Sequence, residues 1–243
     1  MDRRIRVEMV IRQVREEVNK MIPKKGMIKV SDAFERIVHW CLALSCIILM
    51  ISGLGMMFHA FNFLAIPVGG LKNLKLIHNF TGLIFIPSLF FAILIWWKEA
   101  GVFDFPDDLE WIKCAGGYLW HVENPPETGK YNPGQKAFFL AVAGSGIIMA
   151  ISGIIMWFPL SFSAGTVRFM YFLHALSFVV LFPFFFVHLY LGTIGVPGSA
   201  PAIITGYVTR SWCEKQCPKW LKEMEEEGKL EIYGEEKAVP EHH

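Results

Sequence analysis

The four longest apolar stretches of this sequence contain almost no charged residues. Among Asp, Glu, Lys and Arg, only Lys75 falls within residues 37–58, 74–97, 137–158 and 169–194. Each stretch is as long as the ~20 residues that a helix needs to cross the hydrocarbon core of a bilayer. The pattern therefore predicts an all-α membrane protein, built as a bundle of four transmembrane helices.

Cysteine is sparse and forms no motif that holds a metal or a covalent cofactor. The chain has five cysteines and no C-x-x-C-H run, so covalent attachment of haem is excluded. Cys213 and Cys217 are four residues apart, and we interpret them as reduced thiols rather than as a metal or redox pair. The first 30 residues are charged throughout, which argues against a cleavable signal sequence. The net charge of +1 identifies no partner, and we expect no nucleic acid to bind.

Lysine and arginine are concentrated on one side of the predicted bundle. Ten of them precede the first stretch, four lie in or beside the loop between the second and third stretches, and six lie in the C-terminal tail. The two other connections carry only three together, counting Lys75 at the start of the second stretch. By the positive-inside rule, both termini and that loop should be cytoplasmic, in a multi-pass protein of the cytoplasmic (inner) membrane.

The chain divides into three predicted parts: residues 1–30, 31–200 and 201–243. The first is a basic extension whose apolar residues recur at helical spacing, until Pro23 and Gly26 end the pattern. This spacing predicts a cytoplasmic amphipathic helix, which lies on an anionic membrane surface or packs on a partner. The second part is the transmembrane domain, and the third is a polar cytoplasmic tail. The periodic apolar residues of the extension are Ile5, Met9, Val10, Val14, Val18 and Met21.

Four histidines interrupt the apolar stretches. His39 and His78 lie near the starts of the first and second stretches, and His174 and His188 lie 14 residues apart in the fourth. Fourteen residues give ~21 Å of helix rise and nearly four full turns. In the predicted topology, His39 and His188 lie near the cytoplasmic face, and His78 and His174 lie near the outer face. Pro183 should kink the fourth helix, which changes the shared face of its histidines but not their depths.

The two predicted pairs, His39 with His188 and His78 with His174, favour a metal centre at each level. An imidazole in hydrocarbon must satisfy its polar nitrogens, and ionisable residues within membranes are usually functional. A single histidine in a membrane helix often only forms a hydrogen bond to another helix. Four histidines in matched pairs are harder to explain by such hydrogen bonds. Zinc and di-iron sites favour tighter clusters, often with carboxylates. We therefore expect two non-covalent haems, each with two axial imidazoles. His59 and His121 have no such partner, and we interpret them as surface residues.

Small residues recur in the apolar stretches. The sequence Ile-Ser-Gly occurs at residues 51–53 and again at 151–153, near the ends of the first and third stretches. This is a faint internal repeat, because the second and fourth stretches also each carry an early histidine. The glycines could let a flat macrocycle approach the backbone, or they could simply allow close packing of helices. They are Gly53, Gly55, Gly82, Gly144, Gly146 and Gly153.

From Phe34 to Glu223 the chain resembles the cytochrome b (gamma) subunit of respiratory formate dehydrogenases. Related di-haem cytochromes b of hydrogenases and thiosulfate reductases share the single histidines. The resemblance departs at the basic extension and at Gln216-Cys217, where the family has two histidines. The motifs that carry it are Arg36-x-x-His39-Trp40, Ile77-His78, Gly129-Lys130-Tyr131-Asn132-x-Gly134-Gln135-Lys136, the spacing of His174 and His188, and Thr209-Arg210-x-Trp212 with Pro218-x-Trp220.

The resemblance implies the function of an electron-transfer subunit. Two b haems would be held by the same two histidine pairs, and menaquinone would bind near the cytoplasmic haem at Asn132, Gly134 and His188. An iron–sulfur subunit would deliver electrons at the outer face, with the primary dehydrogenase reaction on a further catalytic subunit. A hydrogenase, a thiosulfate reductase or a flavoprotein–quinone complex remains open as the parent. A haem-free membrane anchor is the alternative of a different class.

Overall fold

The computed structural model describes residues 22–235, which are mostly helical. The predicted amphipathic helix of the N-terminal extension lies almost entirely outside the described residues. The α-helices are α1 (Ala33–Met57), α2 (Leu71–Ala100), α3 (Asp107–Lys113), α4 (Pro133–Trp157), α5 (Ala164–Tyr190), α6 (Ala200–Ile204), α7 (Arg210–Gln216) and α8 (Pro218–Glu226). The remaining elements are the strands β1 (Ile28–Lys29) and β2 (Tyr207–Val208), 3-10 segments at His59–Val68, Ala115–Gly117 and Pro159–Ser161, and a π-helical turn at Leu191–Gly195.

Four of the described helices, α1, α2, α4 and α5, are long and apolar enough to cross a membrane. This confirms the predicted helical membrane bundle. Each helix begins a few residues before the predicted stretch, because its first turn contains polar or small residues that do not extend the apolar run. The helices continue through Pro87 and Pro183, which the structure places inside α2 and α5.

Much of the apolar surface of these helices faces outward. Leu94, Phe172 and Val179 are each 60% exposed. An apolar surface of this extent would be a strong aggregation hazard in water. It suits a hydrocarbon environment, in which exposed apolar side chains carry no such cost.

The smaller of two compact units comprises residues 22–36, 127–130 and 190–235 of the described chain. In it β1 pairs antiparallel with β2, with Ile28 opposite Val208. These two residues share a buried core with Cys213, Cys217 and Leu221. Both cysteines are free thiols, and the hydrogen bond with Cys213, together with burial, raises the pKa of the Cys217 thiol. The two thiols therefore act here as small apolar core residues.

The larger unit comprises residues 37–126 and 131–189. Within it α2 packs against α4. Helix α4 begins with a capping box, in which the Asn132 side chain accepts from the Gln135 backbone N–H and the Gln135 side chain accepts from the Asn132 N–H. Pro133 occupies the first helical position, where its missing N–H costs nothing. The start of α4 is therefore fixed by local hydrogen bonds.

A buried ion pair joins this first part of α4 to α3. Lys136 Nζ lies 2.7 Å from Asp108 Oδ2, and both side chains are less than a tenth exposed. Asp104, which is largely exposed, also accepts from Lys136 at 3.3 Å and donates its backbone N–H to Asp108 Oδ2 at 2.7 Å. Because an unpaired charge at such a buried position is costly, these contacts hold the connecting segment against the start of α4.

Replacing Asp108 with Ala should destabilise the larger unit by about 3 kcal/mol. This is the lower end of the range for breaking a buried pair, because Asp104 remains near Lys136. The measurement is thermal unfolding in detergent, followed by circular dichroism. Glu110→Ala, an exposed change on the same helix, is the control. The double variant Asp108→Leu/Lys136→Met should recover much of the stability lost in Asp108→Ala, because it removes both buried charges. Equal unfolding temperatures for Asp108→Ala and Glu110→Ala would contradict a stabilising pair.

Candidate functional site

The structure brings the four histidines together as two pairs within the larger unit. The ring centroids of His39 and His188 are 6.3 Å apart, with the planes inclined by 50°. The centroids of His78 and His174 are also 6.3 Å apart, at 57°. Helix α5 supplies one member of each pair, and α1 and α2 supply the others. The pairs are therefore separated along α5 by ~21 Å, the rise of 14 helical residues.

The spacing within each pair leaves room for one metal ion. An ion bonded at about 2 Å to one nitrogen of each ring would separate the two centroids by roughly 6 Å. Among residues 22–235, no three His, Cys, Asp or Glu side chains cluster closely enough to hold a metal. Each pair thus offers two nitrogen ligands and no more. That donor set fits a metal whose remaining ligands come from a macrocycle, as in haem with two axial histidines.

A cavity of about 590 Å³ lies beside His78 and His174. Its volume is within the range of small-molecule and cofactor sites. Gly53, Gly82 and Gly153 line it. A Cβ atom on Gly53 would lie 3.5 Å from Cε1 of His78, and one on Gly153 would lie 3.6 Å from Cε1 of His174. Larger side chains at these two positions would enter the space around the imidazoles, so the absence of a side chain keeps the cavity open.

The other glycines singled out in the sequence, Gly55, Gly144 and Gly146, do not line this cavity. A Cβ on Gly55 would lie 2.8 Å from Leu74 Cδ2, and one on Gly146 would lie 2.7 Å from Leu89 Cδ2. Both glycines therefore permit close packing of helices. Gly144 is exposed, and a Cβ there would meet nothing within 4 Å. The two interpretations of the glycines thus apply to different positions.

Each histidine of the cavity has a serine partner. Ser52 Oγ lies 2.8 Å from His78 Nδ1, and Ser152 Oγ lies 2.9 Å from His174 Nδ1. Both serines are fully buried. They belong to the repeated Ile-Ser-Gly sequence, which therefore marks equivalent positions on α1 and α4.

The surroundings of the other pair are different. His39 Nδ1 is the one buried side-chain nitrogen or oxygen without a hydrogen-bond partner in the described part of the chain. The ring of Phe138 stacks on His188, with centroids 4.2 Å apart and planes inclined by only 3°. An aromatic contact of this kind restricts the orientation of the His188 imidazole.

The predicted quinone residues Asn132 and Gly134 lie at the start of α4, one turn or more before Phe138. Asn132 Oδ1 is occupied by the helix cap, so only the amide N–H groups of this side chain are free to donate to a ligand. A Cβ on Gly134 would lie 3.1 Å from the Trp111 ring. Gly134 therefore lets Trp111 approach the helix closely, a role that its sequence motif does not reveal.

The sequence alone did not identify Ser52, Ser152 and Phe138 as neighbours of the histidines. The Ile-Ser-Gly repeat was a visible signal for the two serines. It occurs in the first and third stretches, and the stretch that follows each of them carries an early histidine. No comparable pattern marks Phe138, since the third and fourth stretches are rich in phenylalanine. The pair of Lys136 and Asp108 was also missed, because its members lie far apart in the chain.

Comparisons with known proteins show which family and which relatives the chain resembles. Residues 30–206 match the model of the family described as prokaryotic cytochrome b561. The cytochrome b556(fdo) subunit of formate dehydrogenase from Escherichia coli (strain K12) is 32% identical over 193 residues, which cover 78% of this chain and 90% of the relative. A cytochrome b556 subunit of formate dehydrogenase from Haemophilus influenzae is 32% identical over 194 residues, or 77% and 79% of the two chains. The nitrate-inducible cytochrome b556(Fdn) subunit from Escherichia coli (strain K12) is 27% identical over 208 residues, or 83% and 94%.

Replacing Gly153 with Leu should fill the cavity and lower the amount of haem b bound per chain by about one equivalent, because the added side chain would enter the space beside His174. The measurement is pyridine haemochrome quantification of the purified full chain. Gly144→Leu is the control on the same helix, since nine residues place it on the opposite face from Gly153. Equal haem content in the two variants would mean that the cavity does not receive the haem.

Proposed function

The chain belongs to the prokaryotic cytochrome b561 family of haem b membrane proteins, and we propose that it is a di-haem subunit that carries electrons across the membrane to a quinone. The observation that carries this proposal is the pair of matched imidazole contacts at 6.3 Å. In the proposal, His39 and His188 would hold one haem, and His78 and His174 would hold the other. Haem iron supplies one-electron oxidation and reduction at each level.

The protein's own part is to hold these groups and control their surroundings. Because α5 carries one ligand of each pair, it fixes the distance between the two levels. Gly53 and Gly153 keep space open next to the imidazoles of His78 and His174.

The relatives support formate dehydrogenase as the parent complex. All three relatives described above are cytochrome b556 subunits of formate dehydrogenases. In the proposal, an iron–sulfur subunit contacts the outer face near His78 and His174, and a further subunit oxidises formate. A complex purified through this chain should then contain iron–sulfur and formate dehydrogenase subunits. Nickel or flavin in place of the formate enzyme would instead identify a hydrogenase or flavoprotein parent.

The proposed orientation follows from charge. Of the 23 lysines and arginines, 20 lie in segments that the four spans place on one side. By the positive-inside rule, we place that side, with both termini, in the cytoplasm and assign the chain to the inner membrane. Moving an electron inward against a potential of 100 mV costs ~2.3 kcal/mol. Electron transfer in this direction would therefore conserve energy as membrane potential.

The proposed quinone site lies at the start of α4, on the cytoplasmic side. Asn132 Nδ2 would donate to a quinone carbonyl while Oδ1 caps the helix. The N-terminal end of α4 adds a partial positive charge, which favours the negative charge that develops on a reduced quinone oxygen. Menaquinone is the quinone that the family resemblance favours, with Gly134 and His188 as further contacts.

Replacing His78 with Ala should reduce the haem content from two per chain to one and abolish quinone reduction. Formate oxidation with an artificial acceptor should persist, because the partner's own reaction does not use this chain. The readouts are pyridine haemochrome quantification and quinone reduction by the purified complex. His59→Ala is the control, since that histidine is exposed and lies outside both pairs. Two haems in the His78→Ala protein would disprove this ligand assignment.

Replacing Asn132 with Asp should separate the capping role from quinone binding. A carboxylate also caps a helix and suits its N-terminal end, but it cannot donate a hydrogen bond. We expect unchanged haem content and thermal stability, and an increase in the KM for a menaquinone analogue of about tenfold, the equivalent of one hydrogen bond.

Gln135→Glu is the matched control for Asn132→Asp. It makes the same change of charge in the same capping box, and its side chain can still accept from the Asn132 N–H. An unchanged KM in Asn132→Asp, or an equal rise in Gln135→Glu, would remove Asn132 from the quinone site.

A further inference from the structure

Two buried serines hold the histidines of the cavity in nearly identical ways. Ser52 Oγ is 2.8 Å from His78 Nδ1, and Ser152 Oγ is 2.9 Å from His174 Nδ1. The serines are 1% and 0% exposed. They approach from α1 and α4, helices that supply no ligand to this pair. The same contact is thus built twice from independent parts of the chain.

The hydrogen bonds of each serine determine which atom carries the proton. Ser52 Oγ is 2.6 Å from the Ile48 carbonyl oxygen, and Ser152 Oγ is 2.6 Å from the Ile148 carbonyl oxygen. A carbonyl can only accept, so the single hydroxyl hydrogen is donated there. The oxygen then accepts from the imidazole, which must carry its proton on Nδ1.

An imidazole with its proton on Nδ1 has a free lone pair on Nε2, which is the form that binds a metal. Loss of a serine hydroxyl should therefore remove the hydrogen bond that holds each imidazole in this form.

The other histidine pair lacks this arrangement at His39. Its Nδ1 is buried and has no hydrogen-bond partner within residues 22–235. The nearest serine toward the middle of α1, Ser45, donates to the Cys41 carbonyl instead. The two levels therefore differ in the hydrogen bonding of their ligands, although their ring separations are equal.

We propose that Ser52 and Ser152 are positioning residues that lower the reduction potential of the haem between His78 and His174. A hydrogen bond from Nδ1–H makes the imidazole a stronger donor to the metal, and a stronger donor stabilises the oxidised iron relative to the reduced iron. This inference rests on the proposed function. It adds that the chain itself biases the outer haem to give up its electron, which favours transfer inward.

The test is a spectroscopic redox titration of the full chain with Ser52→Ala or Ser152→Ala. The component that disappears in His78→Ala identifies the outer haem. Its midpoint potential should shift upward in each Ala variant, while the potential of the other haem stays unchanged. Ser52→Thr and Ser152→Thr keep a hydroxyl and should restore the original value. Electron paramagnetic resonance should also show altered g values for the outer haem alone, because the imidazole orientation relaxes.

Ser45→Ala and Ser88→Ala are the controls, since both serines are buried and donate only to carbonyls of their own helices. Should an Ala variant lose the outer haem, retention of that haem in the Thr variant would also support the positioning role. Two bound haems with unshifted potentials in both Ala variants would overturn the inference, as would equal shifts in the controls. So would loss of the haem in Ala and Thr variants alike. Retention of both haems in His78→Ala would instead refute the proposed ligand set.

Discussion

The structure depends on the cost of placing an imidazole in hydrocarbon. Each of the four histidines lies in an apolar helix long enough to cross a membrane, so its polar nitrogens need partners supplied by the chain or by a ligand. For His78 and His174, a serine satisfies one nitrogen and leaves the other available. This division of the two nitrogens is what makes a histidine useful as a ligand within a membrane. The positions of the helices, glycines and serines around the cavity all serve that requirement.

Polar groups at the start of α4 are also satisfied by neighbouring residues. Asn132 caps the helix, Pro133 removes an N–H that would lack a partner, and Lys136 is neutralised by Asp108. Each device solves a local problem of hydrogen bonding or charge at the end of a transmembrane helix. Together they fix the start of α4, which carries the proposed quinone residues Asn132 and Gly134. The motif that carries the family resemblance is therefore also a structural element, and its residues need not all contact a ligand.

The helices and the pairing of histidines were predictable because both follow from one-dimensional patterns. Apolar length defines the spans, and helix rise with topology sorts His39 toward His188 and His78 toward His174. The split among the glycines was not predictable, because Gly53 and Gly55 differ only in the face of α1 on which they lie. Likewise, Ser52 resembles Ser45 in the sequence, and only the packing of α1 against α2 brings it to an imidazole. The pattern along a helix predicts how deep each residue lies in the membrane. Contacts between helices also depend on how each helix is rotated about its axis, which the pattern does not predict.

The shared use of α5 has a mechanical consequence. A shift of α1 or α2 would change one histidine pair, but it would not change the distance between the two levels. That distance is set by 14 residues of a single helix, and therefore by the rise of its backbone. Pro183 lies between the two histidines, inside the continuous helix. In the proposed function, α5 would therefore fix the distance over which electrons move, and side chains on the other helices would adjust the reduction potentials. Distance and potential would then be controlled by different parts of the chain.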